Sequence, residues 1–288
     1  MNYQIDKIVN QIERLPTRNH VAFEVIQLCA DPNSTVNQLK SIISSDQVLT
    51  SQILRIANSS YFNYPRTIHS IERAIVILGF NLIRDIAISI AIYSFYKGFR
   101  KSSVFDLRYV WRHALLSGII GRTLGKKYDP ENQSLFYVGC LLHDIGKLVE
   151  SRTMNEDFDF LLEKSHQEGL RLDVVEKKFL NFHHGQVGGK LLEKWNLPEE
   201  LVQMAIHHHD PSRIPSTARH GHAIRVAYLS NILAHYIQDG MKGLEAILQY
   251  DANFTRHFRF NEEEFQELIT TVQEVVEENQ VYFDILQV

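Results

Sequence analysis

Residues 138–147, Val138-Gly139-Cys140-Leu141-Leu142-His143-Asp144-Ile145-Gly146-Lys147, carry an apolar run that ends in an imidazole and a carboxylate. Adjacent residues on a helix project about 100° apart. His143 and Asp144 therefore address one point only where the helix stops, and Gly146 is the expected place for the backbone to turn away. Lys147 lies one turn beyond Asp144.

Outward from this stretch, apolar residues recur at a helical period almost throughout, and alternating β-branched runs bounded by two-residue turns do not occur. The fold class is all-α. The first helix is expected over about 3–14, stopping before Pro16, and a second runs to Ala30. Asp31-Pro32-Asn33-Ser34 reads as a turn. Thr35 and Gln38 read as a capping box that opens a helix to about Ile43. Asp46 caps the next helix, with Leu49, Ile53, Leu54 and Ile56 inward and the Asn58-Ser59-Ser60-Tyr61 segment ending it. Ser70 starts a helix stopped by Gly79, and Asn81 is expected to cap the one after, through Tyr96. Further helices are expected over 106–127, 132–143, 156–167, 172–181, 183–195, 199–209, 218–238 and 242–250. In the last, over 262–278, Asn261 and Glu264 form the cap. Phe265, Leu268, Ile269, Val272, Val275 and Val276 form its apolar stripe beside an acidic face.

The chain has 288 residues, 44% of them hydrophobic, and a net charge of −4. That is enough to bury a large core without cross-links, and the balance lacks the basic footprint of a general nucleic-acid binder. Arg84, Lys97, Arg100, Lys101, Arg108 and Arg112 form a local basic strip that reads as solvated surface. Cys29 and Cys140, the two cysteines, sit in apolar helical patterns and read as buried structural thiols of a reducing compartment. The start of the chain shows no secretory pattern. The most apolar stretch, 86–96, is shorter than the roughly 20 residues of a membrane span, so a cytoplasmic protein is expected. Lys97–Ser103 breaks the apolar rhythm and divides the chain into residues 1–103, 104–255 and 256–288, the last an acidic helix and tail.

The chemistry concentrates in the second segment, where His113, His143, Asp144, His184, His208 and His209 interrupt apolar surroundings. Neutral imidazoles with one carboxylate suit a divalent Fe, Mn, Zn or Ni ion. Such an ion lowers the pKa of bound water toward about 7 and polarises a phosphoryl oxygen, and Lys147 is placed to hold a phosphate. The other histidines, including His235, read as surface or packing residues, and His207 reads as facing solvent or substrate.

The order His113, His143-Asp144, His184, His208-His209 resembles the HD superfamily of metal-dependent phosphohydrolases. Residues 28–32 (LCADP), 49–59 (LTSQILRIANS), 68–71 and 74–79 (AIVILG) are similar to the HDOD domain, an HD-related signalling output module. The resemblance covers about residues 10–240. It implies an N-terminal helical subdomain packed on an HD-like bundle. It also implies His113, His143, Asp144, His184, His208 and His209 as metal ligands, with Asp144 bridging two ions. At position 231 the pattern calls for an aspartate, and Asn231 supplies an oxygen without charge. The glycine-rich signature of the cyclic-dinucleotide phosphodiesterases is absent after Asp210.

Two functions follow as expectations. One is a regulatory, signal-transducing module with a degenerate metal site that binds a signalling protein or a nucleotide-like small ligand. The other is an active phosphohydrolase on a nucleotide or phosphodiester, with Asp144 and Lys147 as catalytic groups.

Overall fold

The computed structural model describes residues 4–13, 20–31, 33–59, 62, 64–96, 104–126, 129–130, 133–215, 218, 220–280 and 283. Among these residues there are helices and turns and no strands, as the helical periodicity requires. The helices are α1 Ile5–Glu13, α2 His20–Ala30, α3 Val36–Ser45, α4 Gln47–Ala57, α5 Ile71–Leu78, α6 Phe80–Tyr96, α7 Leu107–Gly125, α8 Gln133–Leu142 and α9 Ile145–Thr153. They continue as α10 Glu156–Glu168, α11 Leu172–Leu180, α12 His184–Lys194, α13 Glu199–His207, α14 Gly221–Gln238, α15 Gly243–Tyr250, α16 Phe254–His257 and α17 Glu262–Glu278. No described helix is long and apolar enough to cross a membrane.

The chain divides into two compact units, residues 17–98 with 279–288, and residues 1–16 with 99–278. These differ from the segments expected at 1–103, 104–255 and 256–288. Helix α1 belongs to the larger unit because Ile8 and Val9 are buried there and the helix packs on α9 and α12. The acidic helix α17 joins the same unit through Phe265, Ile269, Val272 and Val276, packed on α7 and α15. The expected break at 97–103 lies outside the described residues, as do Lys97, Arg100 and Lys101 of the basic strip, Pro16, Pro32, Ser60 and Tyr61.

In the smaller unit the local signals act as chemistry requires. Gln38 N–H donates to the Thr35 hydroxyl and Thr35 N–H to Gln38 Oε1, closing the capping box of α3. Asp46 accepts from Val48 N at 2.8 Å and Leu49 N at 3.0 Å, and Ser70 accepts from Arg73 N. Each oxygen satisfies a backbone donor that a helix start leaves free. Helix α6 packs on α2, α4 and α5, with Leu39, Ile43, Ile53, Ala74, Ile83 and Ile86 buried. Asn81 does not cap α6. That helix begins at Phe80, and Gly79, at φ +89°, is the single residue between α5 and α6. A glycine reaches this backbone region without steric cost, which leaves no room for a longer link.

In the larger unit α7 packs on α8 and α14, and α12 packs on α9 and α13. The expected turn at Gly146 is not there. The break falls at His143–Asp144, and the following residues form α9, which the sequence reading did not foresee. Gly146 serves close approach instead: a Cβ at this position would stand 1.9 Å from the carbonyl oxygen of His184. The side chain of Cys29 lies outside the described set. Cys140 is a buried free thiol whose ionisation burial pushes up to about 12, as suits a packing residue.

Candidate metal centre

Five elements of the larger unit deliver the candidate residues to one buried place. His113 comes from α7, His143 and Asp144 from the turn between α8 and α9, and His184 from the first position of α12. His208 and His209 follow the last turn of α13, and Asn231 comes from α14. None of these residues exceeds 8% exposure. The two-residue turn after Leu142 lets the neighbours His143 and Asp144 face the same centre.

Asp144 is the hub. Its Oδ1 lies 3.1 Å from His184 Nε2 and 3.4 Å from His208 Nε2. Its Oδ2 lies 3.4 Å from His143 Nε2, 3.7 Å from His113 Nε2 and 2.6 Å from Lys147 Nζ. His209 Nε2 is 2.9 Å from His184 Nε2. Burial opposes the charge on Asp144, but His143 and Lys147 outweigh it and hold the carboxyl well below its usual range.

The tautomers are fixed from behind. His208 Nδ1 donates to the Ala205 carbonyl at 2.7 Å, His143 Nδ1 to the Cys140 carbonyl, and His184 Nδ1 to Glu176 Oε2 at 2.7 Å. A carbonyl only accepts, so in His143 and His208 the proton sits on Nδ1 and the Nε2 lone pair points inward. His143 Nε2, His208 Nε2 and Asp144 Oδ1 are buried with no hydrogen-bond partner among the described residues. Lone pairs gathered around an anionic oxygen repel one another, and a cation among them removes the conflict. An ion about 2.1 Å from each donor separates neighbouring donors by roughly 3.0 Å (octahedral) to 3.4 Å (tetrahedral). The contacts of 3.1–3.4 Å match. Asp144, His184, His208 and His209 form one group able to hold a metal, and His113, His143 and Asp144 form a second.

Asn231 changes the second group. Its Oδ1 is 2.9 Å from His113 Nε2, and whichever way the amide is turned, that nitrogen is engaged in a hydrogen bond. Burial holds His113 protonation well below the ordinary range.

Several residues that the sequence pattern does not single out also shape the centre. Glu176 orients His184, and Asp173 lies 3.9 Å from His209 Nδ1 while pairing with Arg171 and Lys177. Burial and the neighbouring Glu176 raise the protonation of Glu150 well above a normal carboxyl. The available signal was two acids, Asp173 and Glu176, three apart on the buried face of α11. His235, expected at the surface or in packing, packs beside the centre. It lies one turn after Asn231, and its ring centroid is 4.2 Å from that of His113 with the planes tilted by 38°.

A cavity of about 660 Å³ reaches the centre, lined by Lys147, Arg171, Asp173, His184 and His209 together with Phe105, Tyr109, Leu162 and Tyr250. The volume is that of small-molecule sites.

The chain is 24% identical over 92% of its length to an uncharacterized protein of Treponema pallidum (strain Nichols), and spans about half of that relative, 50%. A protein proposed as a phosphohydrolase from Shewanella amazonensis SB2B superposes with TM-score 0.74 at 19% identity, covering 98% of this chain and 97% of the other. A protein proposed to act in signal transduction from Marinobacter aquaeolei VT8 superposes with TM-score 0.70 at 20% identity, covering 98% of this chain and 62% of the other. These likenesses show the fold. The HDOD domain pattern matches residues 15–211, most of the chain, and the protein belongs to the HDOD domain family.

Proposed function

We propose that this chain is a cytoplasmic regulatory module of signal transduction. In this reading it holds a divalent transition metal, Fe, Mn, Zn or Ni, through His143, Asp144, His184, His208 and His209, and binds a ligand or signalling protein rather than turning over a substrate. The hydrogen bond between Asn231 and His113 Nε2 carries this reading. It occupies the nitrogen that a ligand role for His113 requires and supplies no negative charge in its place. Asp144, pinned by Lys147, and the inward Nε2 atoms of His143 and His208 support metal binding.

One observation favours the second reading, a metal-dependent phosphohydrolase: the cavity opens on Lys147, His184 and His209. Bound ions of this kind act as Lewis acids toward a phosphoryl oxygen. Lys147 would hold the phosphate charge, while Asp144 would keep Lys147 in place. The walls would exclude water.

Metal content and hydrolysis of bis(p-nitrophenyl) phosphate, measured for wild type and Asn231→Asp, separate the two. The regulatory reading expects bound metal and no turnover in wild type, with more metal retained by Asn231→Asp. Steady wild-type hydrolysis abolished by Asp144→Ala establishes the second reading instead. Metal-free protein after growth in metal-rich medium removes both.

A further inference from the structure

One wall of the cavity is built with care that the metal residues do not explain. His235 Nδ1 lies 3.1 Å from Asp239 Oδ2, and the other oxygen of Asp239 accepts a 2.6 Å hydrogen bond from the Tyr109 hydroxyl. The tyrosine pins the carboxylate and the carboxylate pins the imidazole. Nδ1 therefore carries the proton, and Nε2 presents a lone pair. The His235 ring centroid is 4.2 Å from that of His113 and 4.9 Å from that of Tyr250, both pairs tilted.

The Tyr250 hydroxyl has no hydrogen-bond partner among the described residues, nor has His235 Nε2. Neither atom is sealed from accessible space, and both residues line the cavity. An acceptor and a donor without partners thus belong to two residues lining the same cavity, which is lined besides by the apolar Phe105, Val110, Leu162 and Leu172 and by Arg171, whose charge is taken up by Asp173 and Asp251. The Nε2 lone pair repels an anion, so phosphate oxygens belong at the Lys147 end. A hydroxyl group is the complement of this pair, because it gives its proton to Nε2 and accepts one from tyrosine.

We propose that His235 and Tyr250 are a ligand-recognition pair that holds a hydroxyl group on the body of a phosphomonoester whose phosphate lies at the Lys147 end of the cavity. Asp239 and Tyr109 are positioning residues for His235. The inference rests on the reading above that the metal end accepts an anion. Sugar phosphates and nucleoside monophosphates share the required chemistry.

Calorimetric titration of the manganese-loaded full chain with inorganic phosphate, butyl phosphate, ribose 5-phosphate and adenosine 5′-monophosphate tests it. The hydroxylated esters should bind at least about fivefold more tightly than butyl phosphate, the value of roughly one neutral hydrogen bond. Tyr250→Phe, which removes one oxygen, should erase most of that preference and leave inorganic and butyl phosphate within about twofold of wild type. Asp239→Asn, which frees the His235 ring, should also weaken only the hydroxylated esters. Tighter binding of adenosine monophosphate than of ribose phosphate points to a nucleotide, and equal binding to a sugar phosphate. Equal affinity for butyl and ribose phosphates, or an unchanged preference in Tyr250→Phe, overturns the proposal. The inorganic phosphate titration reports on the metal end alone, so no phosphate binding overturns the anion reading and the proposal with it.

Discussion

Glu176 holds His184 twice with one oxygen: Oε2 accepts the ring Nδ1 at 2.7 Å and the backbone N–H at 2.9 Å. The second bond satisfies a free donor at the start of α12, and the first stops the ring from turning. Both partners are fully buried. The same carboxylate therefore sets where α12 begins and where the His184 Nε2 points, 3.1 Å from Asp144 Oδ1.

Replacing Glu176 with Gln keeps the shape and removes the charge that orients and enriches the imidazole. Loss of such an outer partner costs roughly 10–100-fold in metal affinity. Competition with a calibrated chelator should show that loss in Glu176→Gln. Wild-type affinity in the variant would show that His184 is not a ligand.

Burial works against protonation of His184, but Glu176 and Asp144 outweigh it and raise the ring to about 9 from 6.5. In the metal-free protein this raised value stabilises the fold fully below pH 6.5, and the contribution is lost as pH climbs through about 9. A metal must displace that proton. Metal affinity should therefore rise with pH up to about 9, with proton release at pH 7–8 seen by titration in buffers of different ionisation enthalpy. A flat affinity between pH 7 and 9 contradicts the assignment.

His208 and His183 behave in the opposite way, because burial lowers their protonation to about 3 and about 2. Below pH 6.5 the unfolded chain takes up protons that the folded chain refuses. Stability of the metal-free protein should fall as pH drops from 6.5 toward 3, with a slope of up to about 1.4 kcal/mol per pH unit for each ring. Urea unfolding at pH 7, 6, 5 and 4 measures it.

Short-range signals carried much of the architecture. Thr35 with Gln38, Asp46, Ser70, and Asn261 with Glu264 cap their helices because the necessary groups lie within four residues of each other. The convergence of His113, Asp144, His184 and His208 follows from the family resemblance and not from local spacing, since these residues lie on separate elements. His235 reads as a surface or packing residue because its ring neighbours, His113 and Tyr250, lie on other elements, although Asn231 and its hydrogen-bond partner Asp239 are each one turn away on or beside its own helix. The turn expected at Gly146 is absent for a physical reason. A glycine marks either a special backbone angle or a close neighbour, and only the position of α12 decides between them.

That second role makes Gly146 a sharp probe of how the centre is held together. It lies in the first turn of α9, two residues after Asp144, and the His184 carbonyl occupies the space of its absent Cβ at 1.9 Å, with Gly188 N at 2.8 Å. Backbone atoms cannot rotate aside as a flexible side chain can. Gly146→Ala must push α9 away from α12 and so separate Asp144 from His184. Overpacking of this kind costs about 3 kcal/mol, against which the helix-forming gain of about 1 kcal/mol from alanine is small. Chemical denaturation should show a net loss of about 2 kcal/mol or more, and chelator competition should show weaker metal binding in the folded variant. Gly240, at φ +65° with nothing within 4 Å of its Cβ position, gives the control: Gly240→Ala should cost only backbone strain and leave the metal affinity unchanged. Equal effects of the two substitutions on metal binding would show that contact between α9 and α12 does not hold the ligands in place.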